Sequence, residues 1–411
     1  MGSGKSSAAI TYMNEHPEKK FVYITPYLDE VKRIRNGVTA TKIFEPMNMD
    51  EFNGSKIQHT MALISEGKSV ATTHQAFRMY TDEMLQAIRD QHYTLIADEC
   101  VNVLQELDAD PSIIDLAIDA GRYIKHDDDT LEFVKPTWVD DLKYVEYAMQ
   151  HSSVVYVQKK LGRAYTWLLT MELISSFDDA YIMTYMFKGQ DMHCLLAMNH
   201  AEYKEIGVRK EDGIYRFAYE PPYNNDGSHI PGLIHILDNK RLNAIGEKRT
   251  ALSAGWLEEN DDLCKELKDN TVNFFRNIQK SKSSRNMWST YGFAQPKLTG
   301  GGYTKGFVPF NCRAKNDYRD KDCLAYCVNV FMNVGQKLFF QSRGIEIDDD
   351  QYALSVMVQW IWRSAIRDGK EIWLYLPSRR MRDLLTDWLQ TLTKEGGVTN
   401  DGDESMCDVP A

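Results

Sequence analysis

No stretch of this 411-residue chain approaches the ~20 consecutive apolar residues of a membrane-spanning helix. No secretory signal is visible at its start either, so the expected compartment is the cytoplasm. Cysteine is sparse and unpatterned: Cys100, Cys194, Cys264, Cys312, Cys323, Cys327 and Cys407 make an odd count without paired spacing. That excludes a disulfide scaffold and argues for a reducing environment. Cys323 and Cys327 read as sharing a helix face near Cys312, but no fourth ligand lies at metal-site spacing, so buried, inert thiols are the reading. Net positive charge is also lacking. With 48 Lys and Arg against 59 Asp and Glu, the formal charge is −11, and nucleic-acid contact must use local basic patches. No internal repeat is present. Hydrophobic content of 43% is enough for ordinary cores, and the length predicts two domains plus an insertion.

The opening residues Met1-Gly2-Ser3-Gly4-Lys5-Ser6 carry most of a phosphate-binding loop, G-x-x-x-x-G-K-[ST], but not its leading glycine. In such a loop the backbone N–H groups of Gly2, Ser3 and Gly4 cradle phosphate at a helix N-terminus. Lys5 reaches the β- and γ-phosphates, and the Ser6 hydroxyl ligates Mg²⁺. The strand that normally carries the loop is absent as well. The expectation is therefore a missing N-terminal segment, with a degenerate relative as the alternative, and a parallel sheet left without a central member.

Downstream, Phe21-Val22-Tyr23-Ile24-Thr25, Ser69-Val70-Ala71-Thr72-Thr73 and Tyr93-Thr94-Leu95-Ile96-Ala97 read as strands separated by helical stretches. That pattern is a parallel α/β sheet with its chemistry at the strands' carboxyl ends. Residues 1–200 are expected to form the first domain. An insertion over about 101–175 contains a hairpin, Tyr123 to Val134, around an acidic turn, with helical flanks. The sheet resumes at Ala180 to Thr184, 201–262 connects the halves, and 263–393 forms the second α/β domain. Within the latter, strands are expected at Arg285–Thr290, Gly306–Phe310 and Glu371–Leu376. Helices are expected near Leu324–Phe331 and Tyr352–Arg367, with a last one from Pro377-Ser378 to about Leu392. The 394–411 tail is rich in Gly, Asp and Thr and is expected to be disordered.

Asp98-Glu99 ends an apolar strand. There an aspartate can hold Mg²⁺ and its neighbour can orient and deprotonate water. In isolation such a pair is a surface turn; after a strand and downstream of Gly-Ser-Gly-Lys-Ser it reads as functional.

This order of segments resembles the superfamily 2 (DEAD/DEAH-like) helicases, with closest likeness to helicase-type proteins of tailed bacteriophages. It resembles herpesvirus-type origin-binding helicases more loosely. The resemblance implies two RecA-like domains that hydrolyse ATP with Mg²⁺, in the host cytoplasm for a phage-encoded protein. Gly2 to Ser6 matches motif I, Val22 to Pro26 motif Ia, Thr72-Thr73-His74-Gln75 motif Ib, and Asp98-Glu99-Cys100 motif II. Met183-Thr184-Tyr185 stands where motif III is expected, with Thr184 as the coupling residue. Asn311 to Arg319 resembles motif V, with Asn316, Asp317 and Arg319 as candidates. Gln359-Trp360-Ile361-Trp362-Arg363-Ser364-Ala365-Ile366-Arg367 resembles motif VI, with Trp362 in place of a glycine. The resemblance makes Glu99, Gln359, Arg363 and Arg367 catalytic, the two arginines projecting from one helix face. An arginine of this kind is worth about 10³–10⁵ in rate.

Nucleic-acid contacts implied by the same likeness run through Lys32, Arg33, Thr73, His74 and Arg319, with the Lys282–Arg285 stretch and Lys305 as further candidates. The partner is single-stranded or forked nucleic acid, DNA in the first instance, together with replication or recombination proteins and no membrane. Trp288, Trp360 and Trp362 are stacking candidates whose apolar settings read better as core. The functional expectation is an ATP-dependent helicase or translocase. Its competitor is a helicase-shaped nucleic-acid-binding or regulatory protein that has lost ATP turnover.

Overall fold

Runs such as Phe21-Val22-Tyr23-Ile24 carry β-branched and aromatic side chains without polar alternation, as a strand covered on both faces requires. The computed structural model describes residues 4–52, 54–158, 163–221, 223, 227–311 and 317–394. The chain divides into two units. Unit 1 takes Met1–Tyr219, Asn311–Lys315 and Val330–Gln359, and unit 2 takes Glu220–Phe310, Asn316–Asn329 and Trp360–Ala411. Among the described residues no helix is long and apolar enough to cross a membrane.

Unit 1 contains strands β1 (Lys20–Thr25), β2 (Ile43–Phe44), β3 (Ser69–Thr73), β4 (Tyr93–Asp98), β5 (Leu104–Glu106) and β6 (Tyr123–Lys125). It continues with β7 (Thr130–Phe133), β8 (Ser153–Gln158), β9 (Arg163–Leu168), β10 (Asp179–Met183), β11 (Gly207–Glu211) and β12 (Ile214–Ala218). Its main sheet is all parallel in the order β10-β4-β1-β3-β2. The five described strands pair without a gap, with β10 and β2 as the outer two. Val22, Ile24, Leu95 and Ala97 face a core shared with Leu63, Phe77, Leu85 and Ile88. Phe21, Tyr23 and Ile96 face the other way, onto Ala9 and Met13 of the Lys5–Glu15 helix and Val31 and Ile34 of the Leu28–Gly37 helix. Both faces are thus dry, each buried aliphatic contributing roughly 1.5–3 kcal/mol. Register then sets Thr25, Thr73, Asp98 and Met183 along one carboxyl edge, with Thr25 opposite Thr73 and Met183 opposite Asp98.

The insertion has the expected hairpin between helical flanks, Pro111–Asp119 and Lys143–His151, and adds further strands that make it a second sheet. Five antiparallel strands run β5-β9-β8-β7-β6 over their own core of Leu107, Ile114, Tyr123, Val145 and Trp167. The hairpin of β6 and β7 lies where expected. Strands β8 and β9, which the sequence reading missed, are covered on both faces: Val155 and Val157 enter the core of the main sheet, and Val154, Tyr165 and Trp167 enter the insertion's own. The β11–β12 hairpin belongs to unit 1. Phe217 stacks on Tyr181 (5.2 Å, 7°) and leans on Tyr12, and Arg216 pairs with Glu15 at 2.8 Å.

Unit 2 holds β13 (Ile234–Ile236), β14 (Asn286–Ser289), β15 (Cys323–Tyr326) and β16 (Ile372–Tyr375), parallel in the order β13-β16-β15-β14. The Leu324 region is a strand, not the expected helix. Cys323, Ala325 and Cys327 all enter one core, which is the period of a strand. The Gly306–Phe310 run makes only an isolated parallel bridge, Phe307 beside Trp288. The last helix is Arg379–Lys394. Cys312, Cys407 and the tail beyond Lys394 lie outside the described residues.

Candidate nucleotide site

Gly4 has φ +83°, a left-handed conformation suited to glycine, and the Lys5–Glu15 helix starts immediately after it. A Cβ on Gly4 would stand 2.3 Å from the Tyr215 ring of β12. Gly2 and Ser3 lie outside the described residues. The half-buried Lys5 donates its Nζ to the Thr184 carbonyl at 2.9 Å, and the Tyr185 ring centroid stands 6.0 Å away. Burial lowers the Lys5 pKa, while the Glu99 and Asp98 carboxylates oppose that shift. A cation and two carboxylates therefore share one electrostatic neighbourhood at the start of a helix.

Asp98 closes β4, and burial drives its pKa up to about 7. Glu99 and Glu30 push the same way; Arg33 and Lys5 push back. Glu99 follows at φ +66°, uncommon for a residue with a side chain. Its N–H is held by the Met183 carbonyl at 3.1 Å. Strain of this kind concentrates at functional sites. The buried Tyr23 phenol is raised well above its ordinary pKa, by burial first and then by Asp98. His74 lies 3.0 Å from the Asp98 carbonyl, so Nε2 carries the proton and donates it.

Thr184 Oγ1 and Thr25 Oγ1 are buried with no hydrogen-bond partner among the described residues. A buried orphan hydroxyl is costly unless something completes it. Among the described residues no three His, Cys, Asp or Glu side chains converge as a metal site. A divalent cation would need phosphate oxygens beside Ser6 and Asp98, the pattern of a hard cation bound together with its nucleotide. The donor set is all oxygen and fits such a pair.

The other sequence-derived residues are distributed differently. Arg33 donates to Glu30 at 2.7 Å and its charge acts on Asp98, so it lies in this electrostatic neighbourhood. Lys32 is exposed and stands 3.7 Å from Asp29. Thr73 caps the His74–Arg78 helix through its hydroxyl. Arg319 forms a two-toothed pair with Asp368. Asp317 is exposed, and Asn316 lies outside the described residues.

The helix carrying Gln359 runs Asp349–Ile361 and stops there. Arg363 sits in the following turn and Arg367 in the short Ala365–Asp368 helix, so they do not project from one helix face as expected. The β-region backbone at Ser364 breaks the helix between them. Arg363 is 6% exposed and its Nε has no acceptor among the described residues, while Arg367 is exposed. Sequence reasoning missed Glu30 and Tyr215. Glu30 was signalled by its i,i+3 spacing to Arg33; Tyr215 gave no signal, because its contact spans most of unit 1.

Comparison with known proteins places these features in a family. Residues 228–389 match the family described as YonV C-terminal Rossmann-like domain. The chain is 35% identical over 404 residues to the SPbeta prophage-derived uncharacterized protein YonV of Bacillus subtilis (strain 168), covering 95% of this chain and 97% of that protein. A solved apo XPD chain is similar at 10% identity and a TM-score of 0.46, over 94% of this chain and 93% of that one. At 35% identity to the B. subtilis protein over nearly the whole of both chains, and with residues 228–389 matching the family's C-terminal domain, the chain belongs to the YonV family.

Proposed function

We propose that this protein is an ATP-dependent nucleic-acid motor, a helicase or translocase acting on DNA in phage replication or recombination. The observation that supports it is the convergence of Lys5, Asp98 and Glu99 at the carboxyl edge of the unit 1 sheet. The prophage origin of the B. subtilis relative supports the biological setting. Bound Mg²⁺ and ATP would supply a phosphoanhydride and the cation that neutralises its leaving charge. Lys5, freed from the Thr184 carbonyl, binds phosphate. Asp98 and the Ser6 hydroxyl orient the cation, and Glu99 aligns water and takes its proton. Thr184, whose carbonyl accepts from Lys5, follows β10 and couples nucleotide state to it. Arg363 or Arg367, with Gln359, is the source of a guanidinium for the transition state.

The test is ATP turnover with Mg²⁺ and single-stranded DNA. Lys5→Ala should abolish it. Glu99→Gln should keep nucleotide binding while losing hydrolysis, and equal turnover in this variant and the parent would remove Glu99 as general base.

A second reading, a nucleic-acid-binding regulator without turnover, is favoured by the burial of Arg363 and by the engagement of Lys5 with Thr184. It predicts that the parent and Glu99→Gln bind nucleotide equally and that neither hydrolyses it.

A further inference from the structure

Between Asp269 and Asp317 the sequence contains eight lysines and arginines and no aspartate or glutamate. In a chain of formal charge −11 this stretch runs against the overall balance, and as far as Phe310 it belongs to unit 2. Arg313 and Lys315 lie outside the described residues. Arg285 donates to Asp322 at 2.8 and 3.0 Å, and Lys297 stands 2.8 Å from Asp261. The other four, Arg276, Lys280, Lys282 and Lys305, are exposed and make no ion pair among the described residues.

The fold gathers these four at the amino edge of the unit 2 sheet. The Asp261–Asn273 helix runs on into a wider turn, Phe274–Ile278, that carries Arg276. The Arg276 guanidinium lies on the Gly300-Gly301-Gly302 loop, where a Cβ on Gly301 would stand 2.5 Å from Nη2. Ser281, between Lys280 and Lys282, donates its hydroxyl to Asn286 Oδ1 at 2.6 Å, and Asn286 Nδ2 donates to the Gly302 carbonyl at 2.9 Å. Asn286 is buried and opens β14, so it fastens the lysine loop to the glycine loop. The Ser283–Arg285 turn packs on the Thr304–Gly306 turn, which carries Lys305. Asp320, Asp322 and Asp368, which lead into β15 and β16, are already matched by Lys321, Arg285 and Arg319.

We infer that this amino edge holds the phosphate backbone of duplex DNA, with Arg276, Lys280, Lys282 and Lys305 as its contacts. The surface adds a second grip to the proposed motor, on the edge opposite the one where parallel α/β sheets place their ligands. It rests on that reading only for nucleic acid as the partner. Cations without a protein partner gain most from phosphate, because binding releases the counterions condensed on the polymer. The rings beside them, Phe274, Phe275 and Tyr303, are buried and present no face to an unpaired base. Sites for single strands combine cations with such faces. Cations alone grip phosphate without reading sequence, and that suits a duplex, whose bases are stacked inside.

The experiment measures binding of the full chain to a short labelled DNA duplex by fluorescence anisotropy across a salt series. For the parent, log affinity should fall with log salt at a slope of about −3 or steeper, as four neutralised phosphates require. Lys282→Gln combined with Lys305→Gln should reduce that slope by about two and weaken binding roughly tenfold at moderate salt. Lys143→Gln combined with Lys265→Gln removes the same charge from two exposed ion pairs elsewhere and should keep the parental slope. A parent that binds no duplex, a parental slope in the first double variant, or an equal loss in the second overturns the surface and leaves the motor standing. Tighter binding of polyglutamate than of the duplex overturns DNA as the occupant in favour of an acidic protein. A parent that binds the duplex as expected but never turns over ATP overturns the motor and leaves the surface.

Discussion

Asp98→Asn should make the nucleotide-free protein more stable, and only above a defined pH. The carboxyl lies at the end of β4, where burial and the charges of Glu99 and Glu30 lift its pKa from 3.8 to about 7. An unfolded chain releases this proton near pH 4, whereas the folded chain keeps it to about pH 7. Between those values the folded state binds more protons, so stability falls as pH rises through the window. Three pH units at ~1.4 kcal/mol each set an upper bound of ~4 kcal/mol. Residual solvent contact at Asp98 screens part of this, and the ionised form also repays some of it by steadying the Lys5 ammonium. About 1–3 kcal/mol remains as the expected gain for asparagine at pH 8, or several degrees in melting temperature for a unit of this size. The gain should shrink through pH 6 and be nearly gone at pH 4.5. Thermal melts of both proteins at the three pH values, with a chelator present, measure it; the two-unit architecture makes midpoints the quantity to compare. A variant no more stable than the parent at pH 8, or a gain that ignores pH, refutes the electrostatic account of this edge.

Four further outcomes follow from the same geometry. Glu99→Gly should abolish hydrolysis yet raise the melting temperature slightly, by about 1 kcal/mol of relieved backbone strain, read by the same melts alongside the turnover assay. Gly4→Ala should destabilise unit 1 and loosen nucleotide binding together, since its methyl meets the Tyr215 ring; adding Tyr215→Ala should recover part of the stability, as calorimetry would reveal. Arg319→Ala should change single-stranded DNA affinity less than twofold and leave the melting temperature near the parent's, because its charge is spent on an exposed pair with Asp368. Arg363→Ala should cost stability as well as kcat because the side chain is buried, whereas Arg367→Ala, on an exposed position, should leave the melt unchanged.

What the sequence disclosed were the features with local causes. The strands β1, β3 and β4 stand out because continuous apolar runs bounded by Pro, His-Gln or Asp-Glu have few alternatives. The juxtaposition of Lys5 with Asp98 and Glu99 was legible because a strand-loop-helix and a strand-carboxylate are local patterns. Strands β8 and β9 were hidden, since the polar residues Ser153, Gln158, Arg163 and Thr166 break up the apolar residues that enter two separate cores. Leu324–Phe331 misled because an i,i+4 cysteine spacing suits a helix face and a strand face alike. The stop at Ile361 was invisible because Trp362, Arg363 and Ser364 include no Pro or Gly to announce it. Arg285 and Arg319 looked available for nucleic acid; their acids, Asp322 and Asp368, lie 37 and 49 residues further on.

The fastening of the β11–β12 hairpin onto the Lys5–Glu15 helix also carries a cost during synthesis. The bonds that complete this helix's surroundings, Lys5 to Thr184 and Glu15 to Arg216, join residues 179 and 201 positions apart. At bacterial elongation rates the apolar flank of the helix stays uncovered for roughly 10–40 s after it leaves the ribosome. The Tyr12 flank, on which Phe217 leans, is the part left open longest, because Ala9 and Met13 are already covered by Phe21 and Tyr23 of β1. Slowing translation before residue 218 should lengthen that exposure and lower the soluble yield, whereas slowing it after residue 218 should not.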